Sequence, residues 1–444
     1  MDKAREIALK VLKAVNEDGK YSNIALKEAL RHDALDNKDH AFSAQIVYGT
    51  LEKQVTIDYI LEQFINKRLK NPWVVNILRM GCYQILYLDK VPDFAACSES
   101  VNLCRRYAKG LSGLVNGVLR NISRNKEKID IEKYKNNEGL YLSLKYSYPK
   151  WLVDRWLKQY GFNDTEYILD TQVPHNYTTV RVNTLKTSKE QLIQSLNREG
   201  IEVKDGFYIP ESLMLKGMKD VEQNLFYNQG LFTVQGESSM LVSQILDLKP
   251  MDRVLDACSA PGGKTAHMAA IMGNRGSITA WDIHPHRVQL IGENMKRLGV
   301  SIVEAKVQDA MKPVLGLSET MDKVLVDVPC SGLGVVHKKP DIKLRLRPEA
   351  LDSLPRIQLD ILSRCSTYVK PGGVLLYSTC TINKDENECV IDKFLEEHQE
   401  FKLDEIDTIS EKLKGSIYNR GMLRTLPGRD GIDGFFICRL RRSE

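Results

Sequence analysis

Apolar positions recur at helical spacing along the first part of the chain. Ile7, Val11, Leu12 and Val15 share one face of a helix, as do Ile60, Leu61 and Phe64. A later run, Leu111, Leu114, Val115, Val118, Leu119 and Ile122, has the same period. It lies beside Arg105, Arg106 and Lys109, so one helix is expected to carry both a core face and a basic end. Helix follows helix to about residue 135. There the polar stretches Arg124-Asn125-Lys126-Glu127-Lys128 and Lys133-Tyr134-Lys135-Asn136-Asn137-Glu138 read as a linker.

From about 140 to 235 the texture changes. Thr178 to Thr184 alternates like a strand, Lys189 to Asn197 looks helical, and Phe207-Tyr208-Ile209 and Leu231 to Val234 read as further strands, which together fit a small α+β unit. From about 236 onward, apolar β-rich runs alternate with helices: Arg253 to Asp256, Ser277 to Trp281, Lys323 to Val328 and Gly373 to Tyr377. This alternation predicts a doubly wound, mainly parallel sheet. Asp433-Gly434-Phe435-Phe436 reads as a terminal strand with both rings in the core. The pattern therefore predicts three domains: an all-α domain at 1–137, a small α+β subdomain at 138–235 and an α/β Rossmann-like domain at 236–444.

Composition narrows the class. A chain of 444 residues with 43% hydrophobic content can hold two or three real cores. The net charge of +5 is unevenly spread. Met1 to Lys150 holds 25 Lys and Arg against 18 Asp and Glu, a net of +7, and the remainder is close to −2. Such a basic front half suits a polyanion-binding module, although solvated surface lysines explain it as well. Nine cysteines without a Cys-x-x-Cys indicate neither a disulfide framework nor a zinc ribbon. The charged start Met1-Asp2-Lys3-Ala4-Arg5-Glu6 lacks a signal-peptide core, and no run of roughly 18 apolar residues offers a membrane span. A cytoplasmic protein with no membrane partner is expected.

Candidate chemistry clusters at the ends of the predicted strands. Asp256-Ala257-Cys258-Ser259-Ala260-Pro261-Gly262-Gly263-Lys264-Thr265 is a strand end, a glycine turn and a helix start. Its glycines permit close approach of a ligand, and the helix start offers unpaired N–H groups. It is neither a Walker phosphate loop nor the GxGxxG fingerprint. Asp282 ends the next strand, where a carboxylate can accept both ribose hydroxyls. Asp309 follows the third and can bind an adenine amino group. Each acid alone is as readily a turn or capping residue. Together they point to a nucleoside site, and without the usual pyrophosphate cradle S-adenosylmethionine fits better than NAD. Two thiols close two further strands: Cys330 in Asp327-Val328-Pro329-Cys330-Ser331-Gly332 and Cys380 in Tyr377-Ser378-Thr379-Cys380-Thr381. Ligands of open α/β sheets bind outside the carboxyl ends of strands, so these thiols can share one pocket. Buried core cysteines are the alternative. As a pair beside the glycine loop they favour nucleophilic catalysis.

The three blocks together closely resemble the Sun/Fmu (RsmB) family of ribosomal RNA cytosine-5 methyltransferases, and the resemblance extends through nearly the whole chain. Residues 1–137 resemble the NusB fold, through Asp39, Ala41-Phe42, Gln45-Ile46-Val47-Tyr48-Gly49 and Val115 to Asn121. Residues 138–235, with Arg181-Val182-Asn183-Thr184, resemble the family's ferredoxin-like RNA-binding subdomain, which leaves 236–444 as the methyltransferase domain. His337-Lys338-Lys339-Pro340-Asp341 departs from the arginine pair common in the family, and Leu344 from a frequent Trp.

The resemblance implies transfer of a methyl group from S-adenosylmethionine to carbon 5 of a cytosine in 16S (small-subunit) ribosomal RNA. It makes Cys380 the nucleophile that adds to carbon 6, and has Cys330 assist release. Asp327 can bond the base and also line the cofactor pocket, with Cys258, Ser259, Ala260, Pro261, Gly262, Gly263, Lys264, Asp282 and Asp309 as the other cofactor residues. Lys264 can also lower a thiol pKa; a plain surface lysine is the alternative. No metal is needed, because the methyl donor is already activated. The basic stretch His337 to Arg347, with Lys338, Lys339, Lys343, Arg345 and Arg347, is expected to clamp RNA phosphates, against the alternative of a solvated loop. Competing readings are a non-catalytic RNA-binding factor with a vestigial transferase domain, and the same reaction on transfer or large-subunit RNA. A monomer is expected.

Overall fold

A computed structural model describes residues 2–32, 36–65, 69–170, 177–218, 221–407 and 410–444. The chain forms two compact units: Met1–Asp170 with Val336–Leu346, and Thr171–Val335 with Arg347–Glu444.

The first unit is helical: α1 (Lys3–Asn16), α2 (Ser22–His32), α3 (Asn37–Glu52), α4 (Gln54–Phe64), α5 (Pro72–Tyr87), α6 (Asp93–Tyr107), α7 (Ser112–Asn125), α8 (Glu138–Tyr146) and α9 (Lys150–Leu169). Asp2, Asp36 and Asn71 start α1, α3 and α5 by accepting first-turn N–H groups. The expected face of Ile7, Val11, Leu12 and Val15 packs with Ile46, Leu51, Ile77, Leu78, Leu103 and Leu119 in one core. Arg105 and Arg106 end α6 instead of opening the helix of the Leu111–Ile122 run. A break at 108–111, with Gly110 at φ +86°, separates the two helices. The segment that reads as a linker holds two short 3-10 turns, and Tyr134 in the second sits edge-on to Tyr59. Thr56 on α4 donates to the Leu144 carbonyl at 2.7 Å. The helical unit thus reaches Asp170, beyond the expected boundary at 137.

Val336–Leu346 belongs to this unit as well. Lys343 is buried, donates to the Glu52 carbonyl at 2.9 Å and lies 4.1 Å from the Tyr148 ring centroid. Burial pushes its amine down to about 7. Arg345 donates to the carbonyls of Gly19 and Lys20, Ser22 donates to Asp341 at 2.6 Å, and Leu344 packs against the helical core. The expected phosphate clamp is corrected on this point. Lys343 and Arg345 are tied to backbone carbonyls of the helical unit, whereas Lys338, Lys339 and Arg347 are exposed.

The second unit contains two sheets. The smaller is antiparallel, with β1 (Thr178–Val182), β2 (Glu202–Asp205), β3 (Ser212–Lys216) and β4 (Phe232–Val234) in the order β2-β3-β1-β4. Its helix, α10 (Lys189–Arg198), starts from a capping box of Ser188 and Gln191. Phe207-Tyr208-Ile209 is not a strand: its three N–H groups go to the Glu237 carboxylate at 2.8, 2.9 and 3.0 Å, which replaces a ladder.

The larger sheet contains β5 (Arg253–Asp256), β6 (Ser277–Asp282), β7 (Val303–Val307), β8 (Met321–Asp327), β9 (Val369–Thr379), β10 (Phe401–Leu403), β11 (Ile417–Tyr418), β12 (Met422–Thr425) and β13 (Phe435–Arg442). Their order is β11-β12-β13-β9-β8-β5-β6-β7, with β10 beside β13. β9, β8, β5, β6 and β7 run parallel, and β13 joins β9 antiparallel. This is the expected Rossmann-like domain with an antiparallel extension. Phe435 and Phe436 are buried on β13, as expected. Strand order reverses between β5 and β8, and a ligand crevice forms outside the carboxyl ends at such a reversal. Every acid and thiol singled out in the sequence stands at those ends.

Candidate active site

β8 and β9 pair with Asp327 opposite Ser378, so the loops leaving them start side by side. Their cysteines meet: the two Sγ atoms of Cys330 and Cys380 lie 3.3 Å apart, and both residues are half-buried. The hydrogen bond to Cys380, reinforced by burial, pushes the Cys330 thiol well above its ordinary value. Cys330 therefore keeps its proton and is suited to donate it towards Cys380. Asp327 accepts from Lys264 Nζ at 2.6 Å and from Ser378 Oγ at 2.7 Å. Burial alone would lower the Lys264 amine, but the Asp327 carboxylate outweighs it and leaves the amine above its ordinary value. Lys264 is thus a half-buried cation paired with Asp327 and not a surface lysine.

The two cysteine loops share a support that no local sequence pattern marks. Glu386 is fully buried and accepts from Ser331 N at 2.8 Å, Ser331 Oγ at 2.6 Å, Asn383 Nδ2 at 3.0 Å and Gln358 Nε2 at 3.1 Å. Ser331 Oγ in turn lies 2.7 Å from Thr381 Oγ1. Ser331 and Thr381 directly follow the two cysteines, so one carboxylate ties both loops together. The Gly334 N–H closes the same junction on the Cys380 carbonyl at 3.0 Å.

On the other side of the crevice, the loop after β5 is built to stay open. Gly262 has φ +95°, and a Cβ there would stand 3.1 Å from Met295 Cε; at Gly263 a Cβ would meet nothing within 4 Å. Ser259 gives both its N–H and its hydroxyl to the Trp281 carbonyl, at 2.8 and 2.9 Å, so its side chain braces the loop. Ala260 packs near Ile291 and Met295, and the Pro261 carbonyl accepts from Asn294 at 2.9 Å. Cys258 is half-buried, and burial holds its thiol well above the ordinary value, which leaves it inert. Asp256 accepts from Thr265 at 2.7 Å, and burial raises its carboxyl to about 7. Its Oδ1 is buried without a partner among the described residues. Asp282 and Asp309 each use one oxygen to cap a turn, on His284 N at 2.9 Å and Met311 N at 3.0 Å. Arg181, on β1 of the small sheet, is fully buried with Nη1 3.4 Å from the Gly263 carbonyl, so it backs this loop. The arrangement fits a nucleoside-bearing cofactor: open backbone at Gly263, the start of the helix Gly263–Ile271, and acids at successive strand ends. Among the described residues, no group of three His, Cys, Asp or Glu side chains is placed to hold a metal ion, and no helix is long and apolar enough to cross a membrane.

Comparison with known proteins places this geometry. A family model described as 16S rRNA methyltransferase RsmB/F matches residues 243–441. A protein of Bacillus subtilis (strain 168), "Probable ribosomal RNA small subunit methyltransferase B", is 40% identical over 445 residues, covering 99% of this chain and 98% of that protein. The chain belongs to the RsmB/F family of 16S rRNA methyltransferases. A NusB family model matches residues 2–124, and a model of the ferredoxin-like domain of RsmF/B-like methyltransferases matches 148–222. "Ribosomal RNA small subunit methyltransferase B" of Proteus mirabilis (strain HI4320) is 32% identical across 90% of this RsmB/F-family chain and 93% of its own. A solved structure, "Crystal Structure of PH0851", superposes with a TM-score of 0.85 at 31% identity over 100% of this chain and 99% of that one. "The crystal structure of NSun6 from Pyrococcus horikoshii with SFG" gives 0.61 at 25% identity, over 67% and 98%.

Proposed function

We propose that this RsmB/F-family methyltransferase acts in the cytoplasm on 16S ribosomal RNA, moving the methyl group of S-adenosylmethionine to carbon 5 of a cytosine through a covalent Cys380–cytosine adduct. The observation that carries this reading is the 3.3 Å approach of the two thiols beside the Lys264–Asp327 pair. Carbon 5 of cytosine is a weak nucleophile. Addition of Cys380 to carbon 6 as its thiolate, the thiol proton having passed to solvent, turns the ring into an enamine whose carbon 5 is nucleophilic. Bound S-adenosylmethionine supplies an electrophilic methyl group there. The hydrogen bond to Cys380 is the first cause of the high Cys330 pKa. Once Cys380 is bonded to carbon that cause is gone, so Cys330 can lose its proton to solvent and, as the thiolate, take the one on carbon 5. The electron pair of that C–H bond restores the ring double bond as the carbon 6–sulfur bond breaks, which returns Cys380. Asp327, held at 2.6 Å by Lys264 Nζ, accepts from the cytosine amino group.

In this reading Asp282 takes the ribose hydroxyls of the cofactor and Asp309 its adenine amino group. The backbone of Cys258, Ser259, Ala260, Pro261, Gly262 and Gly263 cradles the rest, with Lys264 and Asp327 at its edge. The target cytosine must leave its stack to enter. The test is to incubate the protein with methyl-labelled S-adenosylmethionine and 16S rRNA from a strain lacking it. Label in 5-methylcytidine is expected, and its loss in Cys380→Ala. Label in another nucleoside, or full turnover by Cys380→Ala, overturns the reading.

A further inference from the structure

The helical unit has its own cavity, of about 700 Å³, in the groove between α6 and α7. The two helices run antiparallel, since Asp93 at the start of α6 accepts from Ser123 near the end of α7 at 2.7 Å. Asp93, Phe94, Cys97, Asn102 and Arg105 form one wall, and Gly113, Asn116, Arg120, Ser123 and Arg124 the other. Arg105, Arg120 and Arg124 are all exposed. The one carboxylate in the lining, Asp93, is already met by Ser123 and by Lys126 at 3.2 Å, so the groove is strongly cationic. At Gly113 a Cβ would meet nothing within 4 Å, which leaves the α7 wall open. Phe94 lines the groove with 77% of its surface exposed, so its ring face is open to solvent.

We propose that the α6–α7 groove binds a single-stranded segment of the substrate RNA, with Arg105, Arg120 and Arg124 on successive phosphates and Phe94 stacked on a base. The chemistry is complementary at each point. Guanidinium forks match phosphate oxygens, the Asn102 and Asn116 amides can bond base edges, and an exposed aromatic ring offers a sequence-tolerant platform for a base. The distance along α6 from Asp93 to Arg105 is about 18 Å at 1.5 Å per residue, long enough for a few nucleotides. An acidic protein segment would satisfy the arginines but gives Phe94 and the amides no such role. The proposal rests on 16S rRNA being the substrate.

The experiment measures binding of the full-length chain, without cofactor, to a fluorescent single-stranded 16S rRNA fragment across a salt series. For Arg105→Ala/Arg120→Ala/Arg124→Ala, affinity should fall at least tenfold and the slope of log K against log salt should flatten by about two to three, given 0.7–0.9 per phosphate contact. Phe94→Ser should weaken binding several-fold with the salt slope unchanged. All four side chains are exposed, and matching melting curves will show the variants folded. Unchanged affinity and slope in the triple variant overturn the proposal. So does binding of a polyglutamate peptide, lost in the triple variant, while RNA binding persists. Because no methyl transfer is read, arginine-dependent RNA binding by a protein that leaves cytosine unmethylated would sink the proposed activity and leave the groove standing.

Discussion

A carboxylate with no exposed surface must find donors for its oxygens within the fold, and Glu386 finds them in the loops that carry the two thiols. That makes it a positioning residue: it holds the residues that follow the two thiols, Ser331 at 2.6 Å and Thr381 at 3.4 Å. Glu386→Gln keeps the shape but turns one acceptor into a donor facing N–H groups. It should cost about 1–3 kcal/mol of stability, and it should lower kcat about 10- to 100-fold by loosening the thiol geometry. KM for the cofactor should stay near the wild-type value, because the glycine loop is untouched. Wild-type kcat in the folded variant would contradict this role. The thiols themselves were readable from the sequence, since each stands where an apolar strand stops. Glu386 was not, because Asp385-Glu386-Asn387-Glu388 has the composition of a solvated turn.

At the scale of elements, the loop after β5 depends on one glycine. Gly262→Ala puts a Cβ at φ +95° against Met295 and Ile291, a conformation that costs a side-chain-bearing residue about 1–2 kcal/mol. If the loop relieves that strain by moving, the dissociation constant for S-adenosylmethionine measured by calorimetry should rise about tenfold, the equivalent of 1.4 kcal/mol. An unchanged constant would mean that the loop conformation does not set cofactor affinity. Strands β5, β6 and β8 were legible because their apolar runs end in Asp, and β9 because its run follows Pro371-Gly372-Gly373. Phe207-Tyr208-Ile209 was not, because the acceptor for its N–H groups is Glu237, a side chain 28 to 30 residues away. The helical break at Gly110 was missed for a related reason: the periodic run of α7 and the basic end of α6 abut in sequence and read as one helix.

Across the whole molecule, the chain order and the unit order differ. Val336–Leu346 lies in the helical unit although the residues before and after it belong to the other. No local pattern shows such a return, and a row of cations reads as an RNA clamp until Lys343 is found buried on Glu52 O and Tyr148. The burial has a pH signature. Lys343 holds its proton up to about 10.5 in the unfolded chain but only up to about 7 in the folded one. Between those values the unfolded state binds more protons, so stability rises with pH, by up to about 1.4 kcal/mol per unit for one proton. Below about 7 the penalty for burying the charged amine applies in full. Lys343→Met removes this term, so the variant's melting temperature should exceed that of the wild type near pH 7 and lose the advantage towards pH 10. A difference that stays constant with pH would contradict the buried-amine account.

The central claim is that sulfur bonds transiently to the pyrimidine, and trapping that bond tests it most directly. Cys330→Ala, incubated with 16S rRNA and S-adenosylmethionine, should accumulate a protein–RNA complex that survives denaturing electrophoresis, with the nucleotide on the Cys380 peptide by mass spectrometry. No denaturation-resistant complex, or one attached through another residue, would contradict the account.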